Sequence, residues 1–147
     1  MSPARTTART TARTTRASRE PIRCGDDAFA VVSLVVHQPL RCETVAFLLD
    51  DAGYGNTITV VSGTHDADDV LRVVECLAEA GSAAPAMSSL VMASVRPEGG
   101  IVPGDIDRWL EASSLAESYG LELTEWFVIG PATVECPRDL IGEPERW

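Results

Sequence analysis

SLVMASVRPEGGIVPGDID (residues 89–107) is the stretch on which the fold turns. Its first seven residues are short, small and apolar, the pattern of a central strand. Residues 96–104 then hold two prolines and three glycines, which is loop chemistry. Gly104 or Asp105 can cap the helix that follows. That helix carries Ile106, Trp109, Leu110, Ser113 and Ala116 on one face, and Gly120 stops it. LELTEWFVI (residues 121–129) reads as the next strand, with a short final one over 133–136.

Upstream, ETVAFLLD (residues 43–50) and TITVVS (residues 57–62) flank a turn containing Gly53, Gly55 and Asn56, so the pair reads as an antiparallel hairpin. Asp66, Asp68 and Asp69 place negative charge at the positive end of a second helix, over 66–80. Val70, Val73, Val74 and Leu77 give that helix one buried stripe, and Gly81 closes it. Cys76 reads as a small core residue of the same helix. AFAVVSLVVH (residues 28–37), rich in valine and bounded by acids and Pro39, reads as a further strand. The succession of strand, hairpin, helix, strand, helix, strand implies an α/β or α+β layer architecture: a mixed sheet with helices 66–80 and 105–119 packed on it.

The chain has 147 residues and is 45% apolar, enough for one domain with a real core. No apolar run approaches the roughly 18 residues of a membrane-spanning helix, so no membrane partner is expected. Residues 1–23 hold six arginines and one acid. Residues 24–147 hold six arginines and 21 acids, and lysine is absent. The first segment repeats Ala-Arg-Thr-Thr three times from Ala4 and has no apolar periodicity, which predicts a disordered tail over 1–23 ahead of a domain over 24–147. Phosphate repulsion argues against nucleic-acid binding by the acidic domain; weak contact by the Arg-rich tail is compatible with its charge. The acidic surface suits a basic protein partner. Four cysteines at 24, 42, 76 and 136 form no C-x-x-C pair, which disfavours a zinc ribbon or dithiol redox site. With no export signal, reduced thiols and a cytoplasmic location are expected.

Read together, the segments resemble the RadC-like branch of the JAB/MPN (JAMM) domains. There a strand ends in His-x-His-Pro-x-Gly, a loop brings Pro-Ser-x-x-Asp to a helix start, and the next strand ends in Ile-Gly. Pro97, Gly99, Pro103, Asp107 and Ile129-Gly130 match those positions, and Glu43 with the apolar run after it resembles the family's Glu-bearing strand. Ser62-Gly63-Thr64 resembles its Gly-Thr step. The resemblance covers about residues 28–142. It implies a JAB-like fold and, in active members, zinc held by the two histidines and the aspartate, with the glutamate as general base and the serine at the oxyanion.

The departures bear on function. Ser94 and Arg96 stand where the histidines would be, and Gly104 stands where the serine would be; Glu43 and Asp107 remain. A guanidinium at a ligand position opposes a dication, and one carboxylate is a poor zinc site. The expectation is a vestigial site with no catalytic residue, no metal and no cofactor, with Arg96 open to pairing with Asp107. The domain then acts as an interaction or scaffold module for an unidentified protein partner. A metal-dependent hydrolase rearranged around Glu43 and Asp107 is the alternative, and an acidic mimic of nucleic acid is a second. His37 and His65, the only histidines, form no H-x-H pair.

Overall fold

A computed structural model describes residues 10–13, 20–55 and 57–147. Its elements are β1 (Thr10–Arg13), α1 (Gly25–Ser33), β2 (Glu43–Asp50), β3 (Ile58–Ser62), α2 (Asp69–Ser82), β4 (Met87–Val95), α3 (Asp105–Ser118), β5 (Glu122–Ile129), β6 (Val134–Glu135) and α4 (Pro137–Leu140). The described strands form one mixed sheet in the order β1-β3-β2-β4-β5-β6, with β4 and β5 the parallel pair. The architecture is α+β, with helices on both faces of the sheet.

Side-chain alternation sorts the core into two layers. Val45, Phe47 and Leu49 of β2, with Val91, Ala93 and Val95 of β4, face α1. Ala46, Leu90, Met92 and Trp126 face α2 and α3. The expected hairpin is present, with Glu43 opposite Ser62 and Phe47 opposite Ile58. Asp50 shapes its turn: one carboxylate oxygen accepts the N–H groups of Ala52 and Tyr54, each at 2.9 Å. Gly53 has φ 87°, and an added Cβ there would lie 2.7 Å from the Ile22 carbonyl oxygen.

Residues 28–37 depart from the strand reading, since they fall largely within helix α1. Ala28, Val31, Val32 and Val35 are buried, a spacing of i, i+3, i+4 and i+7. Asp26 and Asp27 sit in the first turn, and Asp27 accepts the Arg23 N–H at 3.0 Å. The helical stripe and the acidic start outweigh the valines' strand preference once the segment packs on the sheet. Helix α3 is also turned relative to expectation. Asp105, Trp109, Ala112, Ser113 and Ala116 are buried, while Ile106 and Leu110 are exposed. Cys76 is exposed and not part of the core. Gly81 lies within α2, its missing side chain making room for Leu121 and Leu48.

Within the segment read as a tail, Thr10–Arg13 forms strand β1. Ile22 is buried and donates its N–H to Gly53 at 2.8 Å. Positions 1–9 and 14–19 of that reading lie outside the described residues. At the other end, Arg146 lies 4.3 Å over the Trp109 ring and donates to Ser113 Oγ and the Leu123 carbonyl.

Candidate functional site

A cavity of about 400 Å³ opens at the C-terminal end of β4. Three elements build its wall: the start of β2 (Glu43, Thr44), the β3–α2 loop (Thr64, His65, Asp66) and the end of β4 with its loop (Ser94, Arg96, Glu98). Such placement follows from topology. Strands β3 and β4 both run antiparallel to β2, so their C-terminal ends and the helix that follows β3 meet at one edge. Glu43, Ser94 and Arg96 therefore line one cavity. Gly104 and Asp107 do not line it.

Arg96 is locked in place. Nη1 and Nη2 donate to Asp105 Oδ2 at 2.6 Å and Oδ1 at 3.0 Å, and Nη1 also donates to the Gly100 carbonyl at 3.2 Å. Its guanidinium carbon lies 5.8 Å from the Trp126 ring centre. The pairing differs from the expected one: the partner is Asp105, and Asp107 is exposed on α3. Residue 105 faces the protein because it opens the helix, where its carboxylate also accepts the Val102 N–H at 2.8 Å. One turn later Arg108 returns to donate to Asp105 at 3.0 Å and to Asp68 at 2.8 Å, tying α3 to the start of α2. Burial alone would push the Asp105 carboxyl up. The Arg96 hydrogen bonds, the Val102 N–H and Arg108 together hold it below the usual aspartate range.

Ser94 is also engaged. Its Oγ accepts the Trp126 indole N–H at 2.9 Å in a buried setting. Gly104 has φ 91°, a left-handed backbone on which a serine side chain would be strained. Glu43 is 1% exposed, far from the solvent-facing edge residue that a strand start suggests. Its two oxygens accept the His37 backbone N–H at 3.1 Å and pair with His37 Nδ1 at 2.8 Å. Thr44 donates to Thr64 across the β2 side of the cavity at 2.9 Å.

The sequence reading missed two of these partners. His37 lies in a segment read as a strand, and as the end of α1's extension it turns back toward β2. Asp105 was visible only as a capping residue; the signal was an acid placed to return its carboxylate onto the preceding loop. Among the described residues, no three His, Cys, Asp or Glu side chains gather as a metal-ligand group. His65 lines the cavity beside Glu43, but Asp107 does not join them. The acids at the two neighbouring helix starts bond N–H groups of the preceding loops, and neither helix has a side-chain cap. The Asp66 N–H donates to Asp69, the Asp68 N–H to Asp66, and the Val102 N–H to Asp105.

No protein-family model, curated protein or solved structure matches the chain.

Proposed function

We propose that this chain is a degenerate RadC-like JAB/MPN domain that acts without metal, as a protein-interaction module. The reading is supported above all by the Arg96–Asp105 pair. A permanent cation, fixed by two hydrogen bonds to a buried carboxylate, stands where the motif alignment puts a zinc ligand. The residues present do not fit zinc. Ser94 is committed to Trp126, Asp107 is exposed, and Glu43 is committed to His37. The guanidinium has no lone pair to offer a metal, and the carboxylate beside it, Asp105, is already held by Arg96 and Arg108.

The partner the surface suits is basic. Four of the six arginines in residues 24–147 (Arg96, Arg108, Arg138 and Arg146) are at least half-buried in ion pairs. Their charge is largely spent within the fold, which leaves acidic side chains dominant at the surface. Elemental analysis of the purified chain after incubation with zinc tests the reading. Less than about 0.1 equivalent bound, unchanged in Asp107→Asn, is the expected result. Stoichiometric zinc that is lost in Asp107→Asn restores the hydrolase reading.

A further inference from the structure

The outer edge of β3 is covered by β1, in antiparallel register: Thr10 opposite Val61, Thr11 opposite Val60, Ala12 opposite Thr59 and Arg13 opposite Ile58. Uncovered, the edge would be five residues, Ile-Thr-Val-Val-Ser, with its backbone N–H and C=O groups unpaired. The strand that covers it is half of an exact duplication. Thr-Thr-Ala-Arg at 10–13 is preceded by Thr-Thr-Ala-Arg at 6–9. A shift of four is even, and strand side chains alternate with a period of two. Sliding by one repeat therefore returns every residue type to the same partner: threonine to Val61 and Val60, alanine to Thr59, arginine to Ile58.

The degeneracy ends there in both directions. One further step toward the N-terminus sets Pro3 opposite Val60, where a ladder donor is lost, and one step the other way sets Arg16 opposite Thr59 and Ala17 opposite Ile58.

We propose that the β3 edge is a strand-acceptor site for an extended Thr-Thr-Ala-Arg segment. The chain carries two interchangeable copies of that segment as a built-in occupant. Main-chain pairing supplies the affinity and the alternating side chains supply the register, the mode of β-augmentation. An incoming partner strand with this pattern competes with the chain's own.

Residue-resolved amide exchange on the full chain tests this. Paired substitutions Thr10→Pro and Thr11→Pro must remove at least one ladder donor, because neighbouring residues in a strand point their N–H groups in opposite directions. The expected result is that the Ile58–Ser62 amides pointing away from β2 stay protected, since residues 6–9 slide in. Adding Thr6→Pro and Thr7→Pro should cut their protection at least about tenfold, with β4 and β5 amides unchanged as the folding control. A synthetic peptide of residues 4–15 added to that fourfold variant should restore protection saturably. Loss of protection in the first variant overturns the two-register site. Retained protection in the fourfold variant, or failure of the peptide to restore it, overturns the acceptor edge.

Discussion

Asp105 is a fully buried carboxylate surrounded by two arginines, and its energetics separate two kinds of substitution. Arg96→Met removes the cation facing it and leaves a buried charge half-compensated, a change that costs about 3–5 kcal/mol. Arg96→Met combined with Asp105→Leu removes both groups and should recover most of that loss. Urea denaturation of the three chains reads the difference. The pH dependence has a definite sign. The folded Asp105 carboxyl lies below its ordinary value of 3.8, so its contribution is present above that value and is lost as pH falls through the folded one. The stability gap between the native chain and the double variant should therefore narrow as pH falls below about 4, and stay constant from about pH 5 to 7.

The cysteines divide just as sharply. Burial, with the Glu125 charge beside it, pushes the Cys136 thiol up to about 12, whereas Cys76 lies exposed on α2. Iodoacetamide at pH 8 should label Cys76 readily and leave Cys136 untouched until the chain unfolds, read by peptide mass spectrometry. At this scale the sequence was legible where a residue's chemistry is fixed by its own type. Arg96 carries its cation wherever it lies, so a permanent positive charge at the end of β4 could be read directly. Its partner could not, because two residues of helical phase, about 200°, separate Asp105 from Asp107 and decide which carboxylate faces inward.

Helix α3 shows how apolar type and burial diverge within an element. Ile106 and Leu110 are among the exposed large side chains, whereas Trp109 is fully buried, its indole N–H directed at Glu143 Oε2 and its ring under Arg146. Hydrophobic residues at the surface are ordinary, and small residues such as Ala112 and Ala116 are what allow a helix to approach a sheet. Leu110→Ser should change stability by less than about 0.5 kcal/mol, while Trp109→Ala should cost about 3–5 kcal/mol, by the same urea titration. Equal costs would place Leu110 in the core after all. Helix α2 and strands β2 to β5 were legible because hairpin turn chemistry, a stripe of three valines and a leucine, and short apolar runs each point to one structure. Helix α1 was not: over eight or nine apolar residues, periodicity does not separate a helix from a buried strand, and valine content tipped the reading the wrong way.

The whole molecule is held by ion pairs that draw both arginines and acids inward. Besides Arg96 and Arg108, Arg138 is 4% exposed and pairs with the buried Glu125, and Arg146 anchors the C-terminal segment on α3 and β5. The Glu125 carboxyl is raised, with burial outweighing the attraction of Arg138, so this pair serves placement of α4 against β5 more than net stability. Residues 24–147 carry 21 acidic side chains against six arginines in all, so acid stays in excess at the surface once these pairs have formed. Like-charge repulsion at the surface is screened by salt, whereas buried pairs are screened far less. Raising sodium chloride from about 10 to about 200 mM shortens the screening length from roughly 30 Å to below 10 Å. The melting temperature should then rise by about 2–5 °C at pH 7, because surface repulsion is relieved while the Arg96, Arg138 and Arg146 pairs persist. A fall over the same range would mean that exposed ion pairs such as Arg72–Asp69 outweigh the acidic excess, and that the surface is less one-sided than a basic partner requires.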